Sequence, residues 1–387
     1  FVLGKNADGS PIETDWYDVA YRTGVSQNHN ISFSGAANQT SYFLAVNYSN
    51  QNGILKTNNF KRQGARLNLD HQLNKFVKLG TNVSFTNSTN SGPNSGAIGP
   101  NSVGASSGNG VNSQYIGLQP LGRLTYITPP NVPVYNADGS YNINKANGNI
   151  GYGPNSPSLG VFNAYNLQTI LDLDKNSSEN NTLIGSVFAE VALLNQLKFR
   201  TVYGVNNLVV ENLSFRNPFS SESFANGGSA SNSNSKYFRS NWTNTLTFDT
   251  QINNNHNLKV LVGHEEIYRK VEGWGAVRSG LSDPFYSSYQ GGFTNIVPAA
   301  NVQAENGLLS FFSTVNYDFK KKYLFSFNFR RDGLSALAAG NKWGNFGGGS
   351  LGWNISEEAF FQNSGLSTVV NSLKLRGSYG VVGNSSL

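Results

Sequence analysis

Along residues 308–355 apolar and polar side chains alternate in three consecutive segments. In 308–319, Leu309, Phe311, Val315, Tyr317 and Phe319 alternate with Ser310, Thr314, Asn316 and Asp318. After a tight Lys320-Lys321-Lys322 turn, Tyr323, Phe325, Phe327 and Phe329 fall on one face and Ser326, Asn328 and Arg330 on the other. The third segment, 346–355, repeats the scheme with Leu351, Trp353 and Ile355. A period of two is the mark of a strand, and a helix would scatter these rings. The aromatic residues crowd the strand ends nearest the short turn, at Tyr317, Phe319, Tyr323 and Trp353, as they do in the interfacial girdle of a membrane barrel. The pattern therefore predicts that Phe325, Phe327 and Phe329 meet lipid while Ser326, Asn328 and Arg330 meet a watery lumen.

The same alternation marks strands over 28–35, 41–50, 60–74, 76–86, 182–194, 197–206, 237–252, 256–268 and 373–381, giving roughly twelve in all. In 60–74, Arg66, Asn68 and Asp70 share a face opposite Ala65, Leu67 and Leu69, and a lumen would accept its mixed charge. Short turns alternate with long links, chiefly 87–180, 207–236 and 271–306. This is the asymmetry of outer-membrane barrels, whose periplasmic turns are short and extracellular loops long. Residues 87–114 are mostly Ser, Gly and Asn, a loop composition. Farther on, Pro129, Pro130, Pro133, Pro154 and Pro157 interrupt any long strand. Residues 1–26 read as a loop segment with a helical patch over 15–21, which Thr14 or Asp15 could cap. The pentapeptide Asn-Ala-Asp-Gly-Ser at 6–10 recurs at 136–140 and reads as two hairpin tips. The division is thus 1–26 as extracellular loop and 27–387 as barrel wall.

Composition supports this picture. Charged residues make up only 13% of the 387, about half the usual share, whereas aromatic residues reach 12%. There is no apolar run of the ~18 residues that a membrane helix needs, so a spanning chain would have to cross as a barrel. The net charge of +6 is scattered over strands and turns and forms no block suited to nucleic acid. Without cysteine, disulfides, thiol catalysis and cysteine metal sites drop out.

Motifs for catalysis are incomplete. His264-Glu265-Glu266 begins like a zinc-protease motif, but Tyr268 stands where the second His belongs. Asp172, Asp174 and Asn176 have calcium-loop spacing, yet Ser177 replaces the turn glycine and Leu183 the bidentate Glu. The Gly-x-Ser-x-Gly match around Ser106 lies in the Ser/Gly loop, without the strand and helix that a nucleophile elbow requires. His29, His71 and His256 lie far apart, and Glu357-Glu358 are adjacent on a turn, which does not set a glycosidase separation. No enzyme, metal or cofactor is expected. The candidates for ligand contact are the loop aromatics Tyr115, Tyr126, Trp274, Phe285, Tyr286, Tyr289 and Phe293, whose rings either stack on a ligand or pack the loops together.

Several segments carry a resemblance. They include Thr14-Asp15-Trp16, Arg22-Thr23-Gly24 with Gln27-Asn28-His29-Asn30, Ser41-Tyr42-Phe43-Leu44, Gly53-Ile54-Leu55-Lys56, and Phe60-Lys61-Arg62 with Ala65-Arg66-Leu67-Asn68-Leu69-Asp70. Further on come Pro133-Val134-Tyr135-Asn136, Leu197-Lys198-Phe199-Arg200, Arg330-Arg331-Asp332-Gly333, Asn341-Lys342-Trp343-Gly344 and Leu373-Lys374-Leu375-Arg376. In this order they resemble the SusC/RagA-like family of TonB-dependent outer-membrane transporters. The resemblance implies an all-β transmembrane antiparallel barrel of about 22 strands, of which this chain would supply roughly twelve, with the plug and closing strands elsewhere. On that basis residues 1–387 alone should not seal a barrel. It also implies TonB-dependent import of oligosaccharides or peptides across the bacterial outer membrane. The partners would be a SusD-like surface lipoprotein, the TonB complex through an N-terminal region, and outer-membrane lipid. The alternative is a passive pore or a surface-binding barrel not coupled to energy.

Overall fold

The computed structural model describes residues 5, 6, 8–92, 121–151, 165–219, 223–286 and 288–383. Among them twelve strands form one antiparallel sheet: β1 (Ser26–Ala37), β2 (Thr40–Asn52), β3 (Asn59–Gln72), β4 (Val77–Ser91), β5 (Lys175–Ala192), β6 (Leu197–Arg216), β7 (Ser229–Ile252), β8 (His256–Leu281), β9 (Phe293–Phe319), β10 (Tyr323–Leu334), β11 (Trp343–Asn354) and β12 (Lys374–Val381). Every strand pairs with its chain neighbours, in the order β1 to β12. Since β1 and β12 are the two edges, the twelve strands make an open wall.

Residues directly opposite in an antiparallel pair point to the same side, so the register sorts the wall into two faces. One row crosses nine strands through Val77, Val191, Phe199, Leu246, Val262, Ser313, Phe329, Gly347 and Val381. On the other side a row runs through Asp249, Lys259, Asn316, Ser326, Ser350 and Ser378. Phe325, Phe327 and Phe329 lie on the first face and Ser326, Asn328 and Arg330 on the second, as the alternation predicts. The ion pairs Lys78–Asp70 (3.0 Å), Arg200–Glu190 (3.1 Å) and Lys259–Asp249 (3.5 Å) also fall on the polar face.

Turns on one side are short, and three of them are closed by residues that accept left-handed backbone. Asn38 and Gln39 close β1–β2 at φ 46° and 69°, Asn253 and Asn254 close β7–β8, and Lys320 and Lys321 close β9–β10. The connection from β11 to β12 is the exception on this side, a folded link containing the short helix Ala359–Gln362.

On the far side two readings need correction. Most of 207–236 and 271–306 is strand: β6 continues to Arg216, β7 starts at Ser229, β8 ends at Leu281 and β9 starts at Phe293. The run Ser231-Asn232-Ser233-Asn234-Ser235 carries polar, half-buried side chains on both faces, so no apolar alternation betrays it. The described parts of 87–180 are likewise more than loop. Two helices of that stretch, α2 (Leu121–Ile127) and α3 (Leu167–Leu173), join α1 (Trp16–Ala20) in enclosing a small core of Trp16, Ala20, Leu55, Leu124, Val132, Ile150, Leu167 and Leu171. Residues of the 1–26 segment are therefore integral to a module built from several links.

Candidate functional site on the long-loop side

The module is pinned by polar groups satisfied across long sequence separations. Asp15, of the two candidate caps, accepts from Tyr17 N at 2.8 Å and Asp18 N at 3.2 Å. Thr14 is used differently: its amide and hydroxyl donate to Pro130 O and Val132 O, while Trp16 Nε1 donates to Pro129 O at 3.1 Å. Asn142, almost fully buried, donates to Pro133 O and Gly151 O, and Asn166 caps α3 while donating to Val134 O at 2.8 Å. The two Asn-Ala-Asp-Gly-Ser segments form matching tips. Asn6 and Asn136 amides donate to Ser10 O and Ser140 O at 2.8 and 2.7 Å, and bridges Lys5–Pro11 and Tyr135–Tyr141 flank them. The link between β6 and β7 joins the module through Asn217 N, which donates to Asp174 Oδ1 at 3.0 Å.

Asp172 and Asp174 are occupied by this scaffold. Asp172 accepts from the Tyr141 hydroxyl at 2.9 Å and from Gln168, and burial followed by that carboxylate pushes the Tyr141 phenol up to about 12. No cluster of three or more His, Asp or Glu able to hold a metal occurs among the described residues.

A hairpin of β8 and β9 rises farthest beyond the rim. A membrane strand needs about 9–11 residues, whereas β8 has 26 and β9 has 27. The apolar face turns polar at Glu266, Tyr268, Lys270 and Glu272, where Tyr268 donates to Glu305 at 2.7 Å and Lys270 pairs with Glu272 at 2.7 Å. From there to Leu281 the strand covers roughly 50 Å at ~3.3 Å per residue. The β8–β9 register slips between Gly273 and Gly275, with Ala300 at φ 55° on the partner strand. Such a bulge bends the strand and re-aims its side chains.

This hairpin gathers five of the candidate aromatics. Phe285 (84% exposed) and Tyr286 (56%) sit in the tip as an edge-to-face pair 5.6 Å apart, held by Asp283, which accepts from Phe285 N and Tyr286 N. Tyr289 lies beneath the Arg278 guanidinium at 5.5 Å, and half-buried Phe293 stands opposite Leu281, so both also pack the tip. Trp274, at the bulge and 60% exposed, shares the outer face with Lys270 and Glu272. Tyr126 is apart from these on α2, 80% exposed, and Tyr115 lies outside the described residues.

The polar face of the wall holds a device that the residue pattern did not suggest. Phe188 lies over Gly80, its partner on β4, and the Arg200 guanidinium covers the ring at 4.1 Å. Phe312 covers Gly263 in the same way, under Arg330 at 5.5 Å. Arg330 also donates to Glu265 (2.8 Å), Ser310 (2.7 Å) and Asp332 (2.6 Å), binding β8, β9 and β10 together. Below it, toward the short turns, an open groove of about 910 Å³ is lined by Asp249, Lys259, Asn316, Asp318, Lys374 and Arg376 among others. Its mixed charges suit a hydrogen-bonding, water-filled interior.

No family model matches the chain. Curated relatives do: TonB-dependent receptor P3 of Formosa agariphila is 30% identical over 396 residues, covering 100% of this chain and 36% of the relative. TonB-dependent receptor SusC of Bacteroides thetaiotaomicron is 26% identical, covering 98% and 36%. Among solved structures, the RagAB peptide importer in the "open-open" state superposes with TM-score 0.70 at 25% identity, covering 97% of this chain and 38% of that one. Its "closed-closed" state gives 0.68 at 26%, covering 96% and 38%. The chain spans about a third of the length of the curated relatives it matches.

Proposed function

We propose that this chain, homologous along its whole length to TonB-dependent receptors that include SusC, is the substrate-admitting part of an importer's barrel wall. It is an outer-membrane β-barrel segment whose apolar face meets lipid and whose polar face meets the lumen. The import would be energised through TonB, carry oligosaccharides or peptides, and involve a SusD-like surface lipoprotein. TonB dependence is supported by the names of the relatives, and the peptide class by likeness to a peptide importer.

The observation that carries the reading is the exposed Phe285–Tyr286 pair at the tip of the longest hairpin. Rings held rigidly by a turn offer apolar area to a sugar face or a peptide side chain at little cost in rotamer entropy. The polar wall behind them accepts a hydrated oligomer. Tyr126 and Trp274 would contribute at the flanks, whereas Tyr289 and Phe293 keep the tip in shape.

In cells producing the protein, Phe285→Ala with Tyr286→Ala should weaken uptake about 10-fold, the loss of ~1.4 kcal/mol of contact. Surface levels and heat-resistant migration should stay normal, because loop residues add little to the ladder. Trp274→Ala with Tyr286→Ala separates the outer face from the tip. Unchanged uptake in both double variants moves the binding surface elsewhere. Collapse of the inner-membrane proton gradient should stop uptake, and uptake that persists identifies a passive pore.

A further inference from the structure

The link between β11 and β12 differs from the other short-turn connections in being folded, in exposing several apolar side chains and in being turned outward. Its pivot is Glu358. One carboxylate oxygen accepts from the Tyr323 hydroxyl at 2.7 Å and Trp353 Nε1 at 3.2 Å, and the other pairs with Lys322 Nζ at 2.9 Å. Tyr323 and Trp353 are partners in the register and belong to the lipid-facing girdle. A link directed into the lumen would instead meet Leu324 and Lys374. Ser356 N closes the neck of the link onto Leu373 O at 3.1 Å.

Within the link, Phe361 is buried and Phe360 packs on Trp353 with ring centroids 6.3 Å apart while remaining 62% exposed. Leu366 is 61% exposed and Val369 81%. Polar Gln362, Asn363 and Asn371 are interspersed with them. Exposed aliphatic and aromatic side chains beside a Tyr/Trp belt are costly in water but stable at the acyl boundary. Next to them the β9–β10 turn presents exposed Lys320 and Lys321, cations placed at the level of phosphate headgroups.

We propose that residues 355–373 form an interfacial foot that lies on the phospholipid of the periplasmic leaflet, with Phe360, Leu366 and Val369 inserted below the headgroups. Two observations select lipid as the occupant: the foot is continuous with the lipid-facing girdle through Trp353, and lysines accompany its apolar side chains. Its role is to fix the depth of the neighbouring strands, since sliding them along the membrane normal would pull these side chains into water.

Residues 1–387 contain no cysteine, so in the whole barrel protein, with any cysteine outside this stretch replaced by serine, single nitroxide labels report only the chosen positions. Phe360→Cys, Leu366→Cys and Val369→Cys would be labelled in protein reconstituted into phosphatidylethanolamine/phosphatidylglycerol vesicles, with Gln362→Cys and Asn371→Cys as controls. At the first three sites collisions with oxygen should exceed those with a water-soluble nickel chelate, and at the controls the order should reverse. Adding Glu358→Gln should move the three labels toward the nickel-accessible pattern while the barrel keeps its heat-resistant migration. Nickel access at all five sites overturns the proposal. So does low access to both reagents at Phe360, Leu366 and Val369, which would mean that protein covers the foot.

Discussion

The wall and the loop module solve the same problem in opposite ways. Most of the module's apolar core is removed from all solvent: Leu124, Val132, Ile150 and Leu167 are completely buried. The wall leaves Phe325, Phe327 and Phe329 about as open as surface residues, at 41%, 42% and 40%. Its order comes from ladder hydrogen bonds that lipid cannot replace, so the backbone is the rigid part and the side chains follow their solvent. In the module the backbone is irregular and the side chains fix it, through Trp16, Asn142 and Asn166 reaching carbonyls far along the chain. One chain thus contains a structure held from its backbone and another held from its core, and each should fail to a different perturbation.

Trp16→Ala sets them apart most strongly. Losing a buried indole should cost about 3–5 kcal/mol locally, enough to open the module. Limited proteolysis should then cleave within 121–174 while the strands stay protected. Loss of the whole barrel in this variant would show that the wall depends on the module. Phe327→Lys is the converse test and should destabilise the wall by ~2–4 kcal/mol if that position is near the bilayer midplane. Reversible folding into vesicles measures it, with Asn328→Lys on the lumenal face as the near-neutral control. Equal losses in the two lysine variants would remove the distinction between the faces.

A smaller effect should follow Gly263→Ala, because a methyl group there collides with the Phe312 ring. Displacing that ring from beneath Arg330 should cost about 1–3 kcal/mol, seen as a lower denaturation midpoint. The smallest effect is a dependence on acid. The Tyr323 hydroxyl first, then Lys322 and Trp353, hold the Glu358 carboxyl down at about 2, against an ordinary 4.5. A depressed carboxyl contributes stability that is complete above the ordinary value and is lost as pH falls toward 2. A label on the 355–373 link should therefore loosen between pH 4.5 and 2, and Glu358→Gln should abolish that transition.

The strands were legible wherever two solvents meet the sheet. In β10 the alternation of Phe325, Phe327 and Phe329 with Ser326, Asn328 and Arg330 reports lipid on one side and water on the other. Near its start β7 carries polar, half-buried side chains on both faces, so Ser231 to Ser235 are polar throughout and their strand is invisible to a period-two reading. The module escaped for another reason. Its core is assembled from Trp16, Leu55, Leu124, Ile150 and Leu167, single apolar residues in separate short segments, and no window contains enough of them to show a period. At the candidate site, ring content singled out the aromatics. Their gathering on one hairpin depended on β8 and β9 being far longer than the alternation revealed. The Phe188–Gly80 and Phe312–Gly263 stacks join strands through pairing alone, and only the register exposes them.

The neighbour-by-neighbour order of the twelve strands bears on how such proteins diversify. Each far-side link merely closes a loop between strands that already pair, and the entropy of closure rises with the logarithm of loop length, about 0.6 kcal/mol per doubling. Insertions there are nearly free for the wall, whether the connection is the 53–58 turn or the excursion from Gly92 to Asp174. Selection can therefore rewrite the far-side surface in large steps while the lipid-facing register stays fixed.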